Sequence, residues 1–477
     1  MNMPWPWRTA GYPLSIQTSG AEMLRSRVEH ALSAVKGDGV KAKALRSTFW
    51  SVVGVFGQNG IRLLSNIVLT RLLFPEAFGL MALVQVFIVA LQTFSDIGIQ
   101  TSIMQSKRGD DPNFLNTAWT LQIIRGFGLW LGACALAWPA AQIYGQPELL
   151  LLLPATALSI IGLGFRPTRA VQVNRNLMLG RLTLIQLAAQ FIMLVLTTVL
   201  AWWWHSVWAL AVAQVLGTVI GNVMIRAFLP GRPNRLQMER ESLREIIGFG
   251  SFIFLSTIAT FLISMGDRAI LGAYIDVTSF GIYTVALTFG TLPALVVQAI
   301  GSKVLFPLYR IKSPMESDET RRKVFRAART VSALGIGIAV VLAFTGDWLI
   351  RLLYDSRYAL AGPMLVLFAL GSIPSNVLIG SQSVLLSHGD SRRHFYLTLA
   401  QAVVQTALLF VLIHFYGVVG AILSPGLTLL LTYPLRARLI ARYRGWDPLH
   451  DALGLGLGFA LTGLACALHW QEIGKLF

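Results

Sequence analysis

Two arginines and an aspartate, Arg62, Arg125 and Asp96, sit deep inside long apolar runs, each accompanied by amides and hydroxyls. Arg62 shares a helical face with Ser51, Gln58, Ser65 and Asn66, and Arg125 shares one with Thr117, Gly128 and Gly132. Gln85, Gln92, Ser95 and Asp96 stud the second run. A guanidinium is a planar fork of N–H donors that grips phosphate or carboxylate in paired bonds. A hydrated space reached by Arg62, with Arg125 second and Gln58, Asn66 and Gln92 beside them, therefore suits an anionic ligand. Asp96 reads in two ways: an ion-coupling carboxylate, or a structural acceptor for neighbouring helices. Asp267 is a second coupling candidate, although it lies with Arg71 and Arg268 near a span end, where such groups also snorkel.

These residues need spans to hold them. Twelve apolar runs are legible between about Phe49 and Tyr433, with a thirteenth at about Ala452–Trp470. Each is near the roughly 20 residues that cross about 30 Å of hydrocarbon. A charge at the centre of such a span costs about 2.5–3.5 kcal/mol on insertion scales, so it must face protein or water. An Arg62–Asp96 ion pair is the rival to a water-facing Arg62, weakened by their different depths. Isolated polar residues such as Gln186, Gln190, Gln214 and Asn222 ordinarily bond a neighbouring helix.

The 39 Lys and Arg orient the chain. Thirty-two fall in the N-terminal arm and in every second gap. Five fall in the other gaps and the tail: Arg71, Arg268, Arg351, Arg357 and Lys475. Basic loops stay in the cytoplasm, so the expected topology has the N-terminus inside. The same asymmetry explains the net charge of +17 by loops facing anionic lipid rather than by nucleic acid.

Composition excludes an ordinary soluble domain: 55% of residues are hydrophobic and 13% charged, and the mean hydropathy is +0.63. Cys134 and Cys466 both lie in apolar runs and read as packing residues. No metal-ligand spacing, phosphate-binding loop or nucleophile elbow is present, so neither cofactor nor metal is expected. Residues 1–44 lack the apolar core of a secretory signal. Glu22–Arg46 suits either an interfacial amphipathic helix or a disordered basic arm. Trp202, Trp203, Trp204 and Trp208 suit an interfacial aromatic belt.

The chain also repeats. Arg71-Leu72-Leu73-Phe74-Pro75-Glu76-Ala77-Phe78-Gly79 closes one span and starts the next, and Arg268 followed by Phe280-Gly281 does the same about 200 residues later. An even number of spans between them makes the halves parallel repeats. The predicted fold is all-α and polytopic, with two six-helix bundles around a central cavity and an extra C-terminal helix. Its divisions are a basic cytoplasmic arm (1–44), an N-terminal lobe (45–228), a Pro/Gly-containing linker (229–245), a C-terminal lobe (246–440) and a tail with the extra helix (441–477).

Several stretches resemble the Wzx-type oligosaccharide lipid-carrier flippases, in the polysaccharide transport branch of the multidrug/oligosaccharidyl-lipid/polysaccharide exporter superfamily. They are Ala44–Ser51, Leu69–Leu83, Asp96–Gln105, Thr117-Ala118-Trp119, Ile143–Leu149, Trp208-Ala209-Leu210 and Lys303–Arg310. The resemblance implies a bacterial inner-membrane transporter that moves a polyprenyl-pyrophosphate-linked oligosaccharide to the outer leaflet by alternating access, without covalent chemistry. It makes a polysaccharide polymerase and chain-length machinery candidate partners, alongside membrane lipids. A multidrug exporter of the same superfamily is the nearer alternative, although cationic drugs would call for acidic residues where this chain has arginine. A membrane-embedded polymerase or ligase is the other, although it would need catalytic groups on a larger outer loop than Gly346–Leu360.

Overall fold

The computed structural model describes residues 40–476 except 97, 177 and 251–253. The stretch proposed as an interfacial helix, Glu22–Arg46, falls almost wholly outside the described residues. Every regular element among those described is helical. The first bundle holds α1 (Val40–Leu72), α2 (Pro75–Phe94), α3 (Pro112–Tyr144), α4 (Leu149–Gly164), α5 (Leu179–Trp204) and α6 (Val207–Phe228). The second holds α7 (Phe254–Leu271), α8 (Val277–Ile311, interrupted by a π-turn at Gly301–Leu305), α9 (Asp318–Leu353) and α10 (Ala361–Val377).

The helix Ser391–Leu431 is two antiparallel arms, α11 (391–416) and α12 (418–431). Gly417 breaks it with φ 53° and ψ −127°, in the left-handed region that glycine enters without a Cβ clash. The reversal is visible in a hydrogen bond from Gln401 to Thr432 at 3.5 Å, which joins residues nearly equidistant from Gly417. The last span, α13 (Pro448–Leu468), packs on α9 and α10.

Local chemistry sets these boundaries. Asp111, Asp276, Ser317 and Asp390 each accept a backbone N–H from the first turn of α3, α8, α9 and α11. Pro75, Pro112 and Pro448 occupy first-turn positions where the missing N–H costs nothing. The fourth span of each bundle bends: Leu149–Gly164 turns 60° into Arg169–Arg175, and Ala361–Val377 turns 51° into Ile379–Ser387. Pro167 lies in the first break and Pro374 just before the second, where each denies the ladder a donor. The matching bends express the repeat in three dimensions.

The short turns gather at one end and the arginine-rich connections at the other, here called the basic end. Of residues 229–245, read as a linker, 229–239 form no helix, whereas 240–245 open the helix Arg240–Gly250. The extended part lies against the start of α3. Asn116, Thr117 and Thr120 side chains there accept the backbone N–H of Arg235, Glu239 and Gln237, each at 3.0 Å. Strand-like backbone without a sheet thereby finds its partners in side chains. Arg108 clamps the strap by reaching both Asp111 and Glu239 at 2.7 Å. At the other end, Arg351 meets Glu472 at 3.4 Å, so the segment after α13 lies beside the α9–α10 turn, away from the basic end. Both cysteines are free thiols. Trp202, Trp203, Trp204 and Trp208 are exposed.

Candidate substrate cavity

The bundles close against each other away from the basic end. Tyr358 donates to the Leu73 carbonyl at 3.2 Å, Arg357 to the Thr70 carbonyl at 3.2 Å, and Thr278 to Glu76 at 2.8 Å. The Phe78 and Tyr358 rings meet edge to face at 6.1 Å, and Arg357 lies over the Phe74 ring at 4.9 Å. The two Phe-Gly turns noted in the sequence are therefore the surfaces of a seal.

Toward the basic end the bundles part. One cavity, about 420 Å³, is lined by Gln92, Asp96, Gln122, Arg125 and Arg166, with Thr257 contributed by α7. A second, about 360 Å³, is lined by Gln58, Asn174 and Gln186, with Lys303 from α8. Arg166 and Gln100 belong to both walls, so the two spaces adjoin. Because each also includes a residue of the second bundle, they lie between the lobes.

The side chains in this space differ in freedom. Arg125 donates through Nε to Ser95 Oγ at 3.1 Å and through Nη2 to the Gln92 carbonyl at 2.6 Å. Those acceptors sit at the C-terminal end of α2, whose last carbonyls lack helical partners and carry partial negative charge. Much of the Arg125 fork is therefore spent on its own fold. Asp96 is exposed to the cavity and receives the Gly98 N–H at 2.9 Å, closing the turn after α2. Gln58 donates to Gln186 at 3.4 Å, while its carbonyl receives Gln190 at 2.9 Å, tying α1 to α5. Gln92 lines the cavity. Arg166 is half-buried between the two spaces, and its guanidinium makes no hydrogen bond or ion pair among the described residues.

The other expected residues lie elsewhere. Arg62 is exposed on α1 without an ion pair among the described residues, and the charge of Arg268 on α7 reaches it. Neither it nor Asn66 lines the two spaces. The Arg62–Asp96 pair does not form. Asp267 is buried, 8% exposed, and accepts the hydroxyl of the fully buried Tyr283 at 2.7 Å.

Sequence reasoning passed over two features. Arg166 falls in a basic gap and reads as a loop charge; only the break after Gly164 turns it inward. The second is a repeat, Leu182-Thr183-Leu184-x-Gln186-x-x-x-Gln190 against Leu397-Thr398-Leu399-x-Gln401-x-x-x-Gln405. Gln190 donates to the Gln58 carbonyl of α1, and Gln405 to the Ile263 carbonyl of α7 at 3.1 Å, the same joint in each bundle.

A family described as polysaccharide biosynthesis protein matches residues 68–363. The chain belongs to that family. It is 22% identical over 335 residues to the lipopolysaccharide biosynthesis protein WzxC of Escherichia coli K12, covering 69% of this chain and 66% of the relative. It is 23% identical to the succinoglycan biosynthesis transport protein ExoT of Rhizobium meliloti, covering 69% and 67%. The chain thus spans about two thirds of these relatives' length. Among solved structures, the lipid II flippase MurJ in an inward closed conformation superposes with TM-score 0.61 at 12% identity, covering 89% of this chain and 99% of that one. An inward-facing multidrug transporter of the MATE family gives 0.56 at 15% identity, covering 81% and 95%. At these identities the likeness is one of fold: two helical lobes in a multi-pass membrane protein.

Proposed function

We propose that the protein flips a polyprenyl-pyrophosphate-linked oligosaccharide from the cytoplasmic to the outer leaflet of the bacterial inner membrane. The observation that carries the reading is Arg166, an unpartnered guanidinium between two adjoining polar spaces that open toward the basic end. In this reading the basic end and the N-terminus are cytoplasmic, and the sealed Phe-Gly turns face outward. Arg166 takes the pyrophosphate, with Lys303 across the gap; Arg62 and Arg268 form the next positive station toward the outer side. Gln58, Gln92 and Gln186 present amides to the sugars, and the polyprenyl chain stays in lipid between the lobes.

No bond is made or broken, so the protein acts as a transporter, not an enzyme. The lobes 45–228 and 246–440 rock about the 229–245 connection, with the 1–44 arm and the 441–477 tail peripheral. Outward movement of negative charge is favoured by about 2.3 kcal/mol per charge per 100 mV, so a membrane potential helps to drive it. The polymerase and chain-length machinery are the expected receivers of the product. The test is proteoliposomes loaded with a lipid-linked oligosaccharide, scoring its appearance on the far leaflet. Wild type should translocate it and Arg166→Gln should be slowed by about tenfold or more, the loss of about one charge-assisted contact. Equal rates for empty and protein-containing vesicles would sink the assignment.

A further inference from the structure

The C-terminal lobe contains its own cavity, about 640 Å³, within the size range of about 300–1,000 Å³ typical of small-molecule sites. It lies inside the bundle, in the half toward the basic end, enclosed by α7, α8, α10, α11 and α12. Its polar wall includes Gln298, Ser302, Gln382, His394 and Gln401. The side-chain amides of Gln298 and Gln382 make no hydrogen bond among the described residues, so they are available.

Arg436 sets this cavity apart. It stands just after α12, among arginines that read in sequence as a cytoplasmic cluster, yet it is only 4% exposed. Its guanidinium lines the cavity and donates one bond, from Nη1 to Ser381 Oγ at 3.1 Å. Nε is buried with no partner. The nearby carboxylate of Asp451, on α13, is occupied by the Tyr433 hydroxyl at 3.0 Å and makes no ion pair with Arg436. Burying an unpaired charge costs several kcal/mol, so buried arginines keep a partner. A buried fork that meets one hydroxyl and an open polar space lacks its oxyanion.

We propose that this cavity is a separate anion subsite, in which Arg436 receives the carboxylate of an acidic sugar while Gln298, Gln382 and Gln401 bind its hydroxyls. The subsite rests on the flippase reading for its natural ligand, an oligosaccharide bearing an acidic residue, and divides the head group between lobes. Pyrophosphate goes to Arg166 and the sugar carboxylate to Arg436. Both are oxyanions, so the experiment must separate them.

The full-length protein in detergent is titrated calorimetrically with a hexuronate, with the matching neutral hexose, and with inorganic pyrophosphate. The hexuronate should bind wild type and Arg166→Gln alike and Arg436→Gln about tenfold or more weakly, and the neutral hexose should bind none of them measurably. Pyrophosphate should weaken with Arg166→Gln and not with Arg436→Gln. Ser302→Trp fills the cavity without touching the arginine and should also abolish hexuronate binding, which decides the matter if Arg436→Gln fails to fold. Unchanged hexuronate affinity in either cavity variant, or pyrophosphate binding that depends on Arg436, overturns the proposal. Hexuronate binding that depends on Arg436 in a protein that moves no lipid-linked oligosaccharide sinks the flippase reading and supports the site.

Discussion

Gly79 and Gly281 stand face to face across the lobes. A Cβ on Gly281 would lie 1.8 Å from the Pro75 carbonyl oxygen, and one on Gly79 would lie 2.1 Å from that of Val277. The first turns of α2 and α8 therefore approach backbone to backbone, a distance only glycine permits. In the alternating-access cycle proposed above, this contact marks the state in which that end is shut. Cysteines placed at Glu76 and Thr278, whose side chains touch at 2.8 Å, should crosslink with a short bifunctional thiol reagent and arrest transport. Adding Gly281→Val should lower the crosslinking yield several-fold while leaving the protein folded. An unchanged yield would mean the seal does not depend on this approach.

Topology gives the second prediction. In intact cells an impermeant thiol reagent should label a cysteine at Gln146, in the α3–α4 turn, and one at Lys475, beyond α13. It should reach one at Arg232 only after permeabilisation. Labelling of Arg232→Cys in intact cells, with Gln146→Cys silent, would invert the assignment. Discordance between the Gln146 and Lys475 positions would mean that α13 does not cross.

The arginines should separate by what they touch. Arg125→Leu strands the end of α2 and should lower stability by about 2 kcal/mol, the scale of a charged hydrogen bond. Arg166→Gln has no bond to lose and should leave the unfolding midpoint nearly unchanged while slowing transport. Arg62→Ala should impair transport more than Arg62→Lys, because lysine keeps the charge without the fork. A thermal unfolding series beside the transport assay checks all three. A stable Arg125→Leu protein, or a destabilised Arg166→Gln protein, would reverse the roles.

The carboxylates divide in the same way. Asp267 is buried against Tyr283, so Tyr283→Phe should destabilise the protein by about 1–3 kcal/mol through an unsatisfied buried acceptor. Asp267→Asn should be milder, since the amide oxygen still accepts the hydroxyl. Asp96 faces the cavity and is the better placed of the two to exchange an ion. Transport at fixed potential, with and without a proton or sodium gradient, decides between structure and coupling. If wild type responds to the gradient and Asp96→Asn does not, Asp96 is the coupling group. If neither responds, its bond to the Gly98 N–H is its whole role.

The spans, the two bundles and the paired Phe-Gly turns were legible because apolar length and loop charge are written directly into the sequence. The thirteenth helix was legible for the same reason. The walls of the cavities were not. Arg166 and Arg436 are indistinguishable in sequence from solvated loop arginines, and only the bend after Gly164 and the reversal at Gly417 bring them inside. Asp267 shows the opposite failure. A charge near a span end reads as snorkelling or coupling, but its partner Tyr283 lies on the next helix, sixteen residues away. Pairing across helices depends on rotation about each axis, which spacing within one helix does not specify.

The last prediction concerns the strap over α3. Glu239 is held below the ordinary carboxylate range by hydrogen bonds from Ser242 and then from Arg108, and Asp111 is lowered chiefly by Arg108. Their folded values lie below their unfolded ones near pH 4, so the stabilisation is present above that pH and disappears as pH falls through the folded values. Acid should therefore loosen the strap. The observable is hydrogen exchange at the N–H groups of Arg235, Gln237 and Glu239, each of which donates to an α3 side chain. Their protection, corrected for the intrinsic pH dependence of exchange, should fall between neutral pH and about pH 3, ahead of the helices. Arg108→Gln should reproduce the loss at neutral pH, because it removes the cation that both carboxylates share. Protection that survives both treatments would mean the strap is held by its neutral hydrogen bonds, those to Asn116, Thr117 and Thr120 among them, with the ion cluster contributing nothing to its attachment.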